Sequence, residues 1–124
     1  MRALVTGGAG FIGSNIVDKL IEKGYDVIVI DNESAEENDR FYWNNKSQNF
    51  KFDICDYDKI EPLFDGVDYV FHLAAQSRIQ PAVKNPIKTV KINCEGTTNV
   101  LQASRKHKVK KVVYSSTSAC YGLI

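Results

Sequence analysis

A glycine-rich segment near the N-terminus constrains the fold of this 124-residue chain more than any other stretch. Within residues 6–13, Gly7, Gly10 and Gly13 stand three positions apart. The apolar residues 2–5 before this segment are typical of a short buried strand. The apolar residues after it recur at helical spacing: Ile12, Ile16, Val17, Leu20 and Ile21. A strand, a glycine turn and a helix in this order form the context in which such a turn binds a dinucleotide.

In that context, glycine is needed at each of the three positions for a different physical reason. The first allows a tight turn, the second lets backbone amides approach a pyrophosphate, and the third lets the helix pack closely on the strand. The N-terminus of the helix adds unpaired N–H groups and the positive end of a dipole. The alternative is a structural turn without a ligand, because glycine-rich turns are common in proteins.

Four further strand patterns alternate with helical patterns along the chain. Apolar runs at residues 26–31, 68–75 and 111–116 and an alternation of apolar and polar residues over 50–54 predict strands. A short helix begins at Asp56 or Asp58, and a long helix covers residues 87–106. One side of the long helix carries Val90, Asn93, Thr97, Val100 and Leu101. The alternation predicts an α/β fold with a doubly wound parallel sheet of five strands in the order 3-2-1-4-5.

Composition and charge narrow the class of protein. Hydrophobic residues make up 44% of the chain and charged residues 25%, which is ordinary for a single globular domain. A formal net charge of +1 gives no reason to expect a nucleic-acid or membrane partner. Cys55, Cys94 and Cys120 match neither a zinc spacing nor a disulfide framework, so we expect reduced core thiols and no metal site. The sequence carries no recognisable secretory signal, and the cytoplasm is the expected location.

Asp31 is the acidic residue expected at the end of the second strand. It follows Gly13 by 18 residues, close to the position of a ribose-binding acid in dinucleotide-binding folds. A carboxylate there accepts hydrogen bonds from both ribose hydroxyls and repels a 2′-phosphate, which favours NAD over NADP. The alternative is an aspartate that caps a turn at the end of the strand.

Two other features are typical of catalytic sites, but we interpret the first as accidental and the second as a core residue. Tyr42 and Lys46 have a spacing that would set an ammonium beside a phenol on a helix and lower the pKa of the phenol. They follow the second strand, however, near the adenosine end of a bound cofactor and far from its nicotinamide. His72 lies in an apolar strand and is expected to be a hydrogen-bonded core histidine.

The chain as a whole resembles the extended short-chain dehydrogenase/reductase family, that is, the NAD-dependent sugar-nucleotide epimerases and dehydratases. Among them it is most similar to the sugar-nucleotide 4-epimerases. The resemblance rests on residues 6–13, 31–32, 53–54 and 72–76, Asn93 with Gly96 and Thr97, and residues 115–122. It implies a Rossmann-type fold and NAD as the cofactor. In the intact enzyme it also implies a nucleotide sugar, such as a UDP-sugar, as the substrate.

The resemblance also implies a role for individual positions. Gly7, Gly10, Phe11 and Ile12 would lie along the pyrophosphate, Asp31 and Asn32 would hold the adenosine ribose, and Asp53 and Ile54 would flank the adenine. Leu73, Ala74, Ala75 and Asn93 would line the cofactor, and Ser115 and Ser116 would lie near the nicotinamide. Thr117 would be the catalytic hydroxyl that hydrogen-bonds the sugar hydroxyl during oxidation. From spacing alone, Thr117 is more simply a strand-end hydroxyl that caps a turn.

The two positions that follow Thr117, residues 118 and 119, distinguish the types of enzyme within the family. The 4,6-dehydratases carry an acid pair there and the decarboxylases carry an acid, whereas this chain has Ser118 and Ala119. Neither residue can transfer the proton that elimination needs, so the resemblance favours epimerisation.

The sequence ends before the family's Tyr-x-x-x-Lys base and its substrate domain. We therefore expect residues 1–124 to form an NAD-binding domain with negligible epimerase activity alone. The alternative is a complete NAD-binding or sensor module without turnover. The fifth strand, with Val112 and Val113, should form an exposed edge, so we expect self-association or a homodimer.

Overall fold

The computed structural model describes residues 1–36 and 38–123. Within them, five strands form one parallel sheet in the order β3-β2-β1-β4-β5, as predicted. The strands are β1 (Arg2–Thr6), β2 (Asp26–Ile30), β3 (Gln48–Phe50), β4 (Tyr69–His72) and β5 (Lys111–Tyr114). The order changes direction between β1 and β4, because β2 and β3 lie on one side of β1 and the later strands lie on the other.

Helices cover both faces of the sheet. The first is α1 (Phe11–Glu22), and a short α2 (Tyr57–Ile60) continues as a 3-10 turn (Glu61–Phe64) before β4. After β4 come α3 (Ile79–Lys84), α4 (Pro86–Val90), a π-helical segment (Lys91–Gly96) and α5 (Thr97–Lys106). A 3-10 turn (Ser118–Tyr121) follows β5. No helix in the two described ranges is long and apolar enough to cross a membrane.

The strand residues alternate between two apolar clusters, one on each face of the sheet. One cluster joins the strands to α2, the 3-10 turn before β4, and α5: Leu4, Ile28, Ile30, Ile60, Phe64, Val70, Val100 and Ala103. The other joins the strands to α1: Ala3, Val5, Val17, Leu20, Val27 and Val29. Because side chains along a strand point alternately to opposite faces, a sheet buried on both sides needs apolar residues at every position. The central strands meet that requirement, because the apolar residues 3–5 of β1 and 27–30 of β2 are all buried.

The third strand is earlier and shorter than predicted. It covers Gln48–Phe50 rather than residues 50–54, and it pairs with β2 from Ile28 opposite Gln48 to Ile30 opposite Phe50. Past Phe50 the chain turns away, and the backbone N–H of Cys55 donates to Asp53 Oδ1 at 2.8 Å. Ile54 therefore lies beyond the residues that pair with β2, and it is buried in the core.

The long helix is not regular, contrary to the prediction of one helix over residues 87–106. The π-helical segment accommodates an extra residue per turn and so rotates the residues before it relative to those after it. Val90, before the segment, is 58% exposed, and Leu101, after it, is 50% exposed, while Val100 is fully buried. Gly96 lets the π-helical segment lie close to the Ile54 side chain, because a Cβ at position 96 would lie 2.5 Å from Ile54 Cδ1.

The three cysteines are free thiols, but the prediction that they lie in the core was wrong. Cys55 is half-buried, and Cys94 and Cys120 are exposed. Burial, assisted by the charge of Asp53, raises the pKa of the Cys55 thiol to about 11. The core space is filled instead by aliphatic side chains and Phe64.

The polar segment between β2 and β3, described at residues 32–36 and 38–47, folds back onto α1. Trp43 packs against the α1 cluster, and its indole N–H donates to Glu33 Oε1 at 2.8 Å. The backbone N–H of Tyr42 donates to the carbonyl of Ala9 at 3.0 Å. No helix passes through Tyr42 and Lys46 in the part of the chain described, so their spacing does not bring a phenol beside an ammonium.

Candidate functional site

A cleft of about 550 Å³ opens along the carboxyl ends of the strands. Thr6 is in register with Ile30 of β2 and with His72 of β4, and His72 is in register with Tyr114 of β5. The loops that follow these strands therefore meet at one edge of the sheet. That edge includes the point between β1 and β4 where the strand order reverses, which is where open α/β sheets bind ligands.

All fifteen predicted site residues line this one cleft. They are Gly7, Gly10, Phe11, Ile12, Asp31, Asn32, Asp53, Ile54, Leu73, Ala74, Ala75, Asn93, Ser115, Ser116 and Thr117. The sequence separates the first from the last by 110 positions, and the parallel sheet brings them together. Their roles toward a ligand stay predictions.

The glycine turn forms the floor of the cleft between β1 and α1. Gly7 has φ of +70°, and a Cβ there would lie 2.9 Å from the backbone nitrogen of Ala74. At Gly13 a Cβ would lie 2.1 Å from the carbonyl oxygen of Gly7, so only glycine lets α1 pass this close to the turn. A Cβ on Gly10 would lie 3.4 Å from the same oxygen, which leaves room for a ligand above it.

The first turn of α1 exposes two apolar side chains and its backbone amides. Phe11 is 81% exposed, and Ile12 is 61% exposed although its spacing predicted a place in the buried stripe of the helix. Gly10 is the N-cap and has no side chain to satisfy the amides of that turn. A helix start of this kind is suited to an anionic group such as a phosphate.

Asp31 is held by two backbone amides at the end of β2. Its Oδ2 accepts from the backbone N–H of Ala9 at 3.0 Å, and its Oδ1 accepts from the backbone N–H of Glu33 at 2.8 Å. Asp31 therefore caps a turn, which was the structural alternative, and it also faces the cleft. Each carboxylate oxygen has a further lone pair, so the cap leaves acceptor capacity for ribose hydroxyls.

Asn32, Asp53 and Ile54 form the adjoining end of the cleft. The amide of Asn32 donates to Asp53 Oδ2 at 3.4 Å, and its Oδ1 accepts from the backbone N–H of Ser34 at 3.1 Å. Ile54 is 5% exposed and belongs to the core, so it presents an apolar wall rather than a polar contact. This end of the cleft therefore combines an apolar surface with a carboxylate.

The opposite wall follows β4 and is clamped by the π-helical segment. Asn93 Oδ1 accepts from the backbone N–H of Gln76 at 2.8 Å, and Asn93 Nδ2 donates to the carbonyl of Gln76 at 3.1 Å. This pair of hydrogen bonds fixes the loop that contains Leu73, Ala74 and Ala75. Small side chains at the last two positions keep the backbone of the wall accessible.

The loop after β5 closes the remaining side. The backbone N–H of Ser115 donates to the carbonyl of His72 at 3.2 Å. Thr117 Oγ1 accepts from the backbone N–H of Ala119 at 3.1 Å and caps the final 3-10 turn. As with Asp31, the structural alternative for Thr117 is observed, and its side chain also lines the cleft.

His72 is the buried, hydrogen-bonded histidine that was predicted. Its side chain bonds through Nδ1 to Thr6 Oγ1 at 2.6 Å and through Nε2 to Thr97 Oγ1 at 2.8 Å. The residue is 2% exposed, and burial lowers the pKa of the imidazole to about 4. The ring is neutral at physiological pH and supplies no charge to the cleft.

The sequence analysis missed several residues that line the cleft. Among them are Ser34, Ala35 and Asn38, which lie in the polar segment, and Gln76, which follows β4. The segment carries no periodicity, and its position depends on packing against α1 and on the backbone contact with Ala9. Gln76 had a sequence signal, as did the lining residues His72 and Thr97, because all three belong to the stretches on which the resemblance rests.

The comparisons with known proteins agree with this architecture. Residues 3–123 match the model of the NAD dependent epimerase/dehydratase family. A Methanocaldococcus jannaschii protein provisionally named UDP-glucose 4-epimerase is 46% identical over 121 residues, which are 96% of this chain and 39% of that protein. UDP-glucuronic acid decarboxylase 1 of Arabidopsis thaliana is 40% identical over 124 residues, which are 98% of this chain and 27% of that protein.

A solved structure extends the similarity to three dimensions. The crystal structure of the UDP-glucose 4-epimerase of Thermus thermophilus in complex with NAD has a TM-score of 0.85 and 37% identity. The match covers 94% of this chain and 38% of that one. The chain therefore spans less than half the length of each of these three proteins.

Proposed function

The chain belongs to the NAD-dependent epimerase/dehydratase family, and we propose that residues 1–124 form the NAD-binding domain of a UDP-sugar 4-epimerase. One observation carries the proposal. The glycine turn, the strand-end acid Asp31 and the strand-end hydroxyl Thr117 line a single cleft at the point where the strand order reverses. One cleft thus offers the amides at the start of α1 for an anion, a carboxylate for ribose hydroxyls and a hydroxyl after β5.

We infer an order of cofactor groups along the cleft. The amides at the start of α1, beside Gly10, would receive the pyrophosphate, and Asp31 with Asn32 would receive the adenosine ribose. Asp53 and Ile54 would flank the adenine, and the wall from Leu73 to Ala75 would follow the cofactor toward Ser115 and Ser116. The nicotinamide, when bound, supplies the reversible hydride chemistry.

Thr117 is the residue that we propose contacts the sugar. Its hydroxyl would hydrogen-bond the sugar hydroxyl that loses hydride and proton, which orients that hydroxyl toward the nicotinamide. The described residues supply no Tyr-x-x-x-Lys pair at this end of the cleft. We therefore propose that this chain alone binds NAD with negligible turnover; a non-catalytic NAD sensor is the alternative.

Two UDP-sugar chemistries are represented among the similar proteins, epimerisation and decarboxylation. Ser118 and Ala119 favour the first, because neither can act as the acid or base that a decarboxylase or dehydratase of the family uses there.

The exposed thiols of Cys94 and Cys120 suit a reducing compartment, and we propose the cytoplasm as the location.

The test of the proposal is a calorimetric titration with NAD and with NADP. We expect NAD to bind and NADP to bind at least about tenfold more weakly, because the Asp31 carboxylate repels a 2′-phosphate. Asp31→Asn should weaken NAD binding by about tenfold and reduce the preference over NADP, since hydrogen bonds to a charged group are stronger. Asp58→Asn, at an exposed position of α2 outside the cleft, is the matched control.

The outcomes separate the parts of the proposal. If NAD does not bind, the assignment of the cleft is wrong. If NADP binds as tightly as NAD, the role of Asp31 is wrong while the cleft assignment stands. Unfolding of each variant in urea shows whether loss of the Ala9 and Glu33 hydrogen bonds, rather than loss of the ribose contact, explains a weaker affinity.

We also propose that the chain self-associates through the outer edge of β5. This strand pairs with β4 on one side, and within residues 1–36 and 38–123 no strand covers its other side. Val113 is 46% exposed and Tyr114 is 57% exposed, so the edge combines backbone groups outside the sheet ladder with apolar side chains. The β5 edge of a second copy can form hydrogen bonds with these backbone groups and pack against these side chains.

Light scattering at increasing concentration tests this proposal. The chain should form dimers or larger species, and Val113→Lys should shift it toward the monomer, because a charge on an edge strand opposes pairing. Lys23→Ala, at the C-terminal end of α1, is the surface control. A chain that stays monomeric at the highest concentration contradicts the proposal.

A further inference from the structure

A chain of three hydrogen-bonded side chains, of which two are buried and one is half-buried, lies at the wall of the cleft. It runs from Thr6 at the end of β1 through His72 at the end of β4 to Thr97 at the start of α5. Thr6 is fully buried, and the ring of Tyr114 stacks on the imidazole with 5.9 Å between centroids. The three side chains therefore connect two strands and a helix at the functional end of the sheet.

The hydrogen bonds of Thr6 determine the tautomer of His72. Thr6 Oγ1 accepts from the backbone N–H of Ala74 at 3.2 Å and from that of Leu73 at 3.1 Å, and the Leu73 N–H also donates to the backbone carbonyl of Thr6 at 3.2 Å. A hydroxyl oxygen has two lone pairs, and both are then occupied. Its remaining bond, at 2.6 Å to His72 Nδ1, must use the hydroxyl hydrogen, so Nδ1 is the acceptor.

The proton of the neutral ring then resides on Nε2. From there it is donated to Thr97 Oγ1 at 2.8 Å. Both hydrogen bonds of the imidazole thus have a fixed direction, from Thr6 to His72 and from His72 to Thr97. The direction is set at the end where two backbone amides meet the Thr6 oxygen.

We propose that Thr6, His72 and Thr97 are positioning residues that hold the Leu73–Ala74 backbone against the glycine turn for the cofactor, with His72 fixed as the Nε2–H tautomer. The cofactor part of this inference rests on the function proposed above. The contact itself is tight, because a Cβ on Gly7 would lie 2.9 Å from the Ala74 nitrogen. A small shift of Leu73 and Ala74 would therefore change the width of the cleft at the first glycine.

Protonation of His72 would break this arrangement. An imidazolium donates from both nitrogens, which would direct a third N–H toward an oxygen that has two lone pairs. Burial among apolar strands disfavours the charged ring as well, and it lowers the pKa of His72 to about 4. Both effects keep the ring neutral at the pH at which the chain is expected to work.

Nitrogen-15 spectra of the two histidine rings test the tautomer in the chain without any ligand. We expect Nδ1 of His72 to have the shift of an unprotonated nitrogen and Nε2 that of a protonated one, at pH 7 and unchanged at pH 6. His107→Gln removes the other set of signals and so assigns those of His72. An Nδ1–H tautomer or an imidazolium at pH 6 would overturn the inference.

The positioning role is tested by the NAD affinity of two variants. Thr6→Val retains the shape of the side chain but leaves the Ala74 amide without its acceptor and the Leu73 amide with only the carbonyl of residue 6, so NAD should bind about tenfold more weakly or worse. Thr6→Ser retains the hydroxyl and should restore affinity to within about twofold of the unchanged chain. Equal affinities for Thr6→Val and Thr6→Ser would overturn the positioning role.

The two measurements also separate this inference from the function proposed above. If the unchanged chain binds no NAD, the proposed function fails, and the tautomer result still tests the buried side chains. If Thr6→Val does not fold, the spectra of the unchanged chain decide the tautomer. Thr6→Ser then decides the positioning role: affinity within about twofold supports it, and a loss as large as about tenfold contradicts it.

Discussion

Gly13→Ala is expected to lower the free energy of unfolding by about 3 kcal/mol or more and to abolish NAD binding. The added Cβ would lie 2.1 Å from the carbonyl oxygen of Gly7, 2.8 Å from its carbonyl carbon and 2.9 Å from the Cα of Gly8. All three are backbone atoms, so no side-chain rotation can relieve the overlap. Because a domain of this kind is stable by about 5 to 15 kcal/mol in total, the loss is a large fraction.

Gly24→Ala is the matched control for this change. Gly24 follows α1 with φ of +86°, and a Cβ there would have no atom within 4 Å. Its replacement should cost about 1 kcal/mol for the left-handed backbone and leave NAD binding intact. Urea unfolding of both variants measures the difference. Equal destabilisation would show that the close passage of α1 over the turn is not what requires glycine at position 13.

Gly10→Ala is expected to have the opposite profile, with unchanged stability and NAD affinity reduced by about tenfold to a hundredfold. Gly10 has φ of −81°, which any residue adopts, and a Cβ there would meet Gly7 O at an ordinary 3.4 Å. The methyl group would, however, extend into the cleft beside the first amides of α1. It would hold a phosphate away from those amides and weaken charge-assisted hydrogen bonds.

Calorimetry with NAD and unfolding in urea should both be applied to Gly10→Ala and Gly24→Ala. The first should lose affinity and keep stability, and the second should lose stability and keep affinity. If Gly10→Ala binds NAD as the unchanged chain does, the pyrophosphate does not lie at the start of α1. The proposed order of cofactor groups along the cleft would then be wrong.

The strand order and the cleft could be predicted from the sequence because both follow from local signals. Apolar runs at residues 2–5, 26–31, 68–75 and 111–116 indicate strands without any knowledge of their neighbours. The parallel order then follows from the helices between them and the handedness of the connections. Loops after parallel strands meet at one edge, so residues as far apart as Gly7 and Thr117 are expected together.

The predictions that were wrong concern packing rather than pattern. Alternation predicts a third strand over residues 50–54, although pairing with β2 ends at Phe50. Periodicity predicts a regular helix over residues 87–106, although Gly96 allows a close approach to Ile54 and a π-helical segment replaces part of it. Such patterns show which residues favour burial, but they do not show where a neighbouring backbone stops or intrudes.

By itself, the sequence determined that a strand, a glycine turn and a helix open a parallel α/β sheet with an acid at the end of its second strand. These features depend on residues that are close in the chain. Only the tertiary structure decided that Asp31 also binds the amide of Ala9, and that the polar segment packs through Trp43 on α1. The hydrogen bond between Thr6 and His72, which are 66 positions apart, also depends on the tertiary structure, because it forms only when β1 and β4 pair in register.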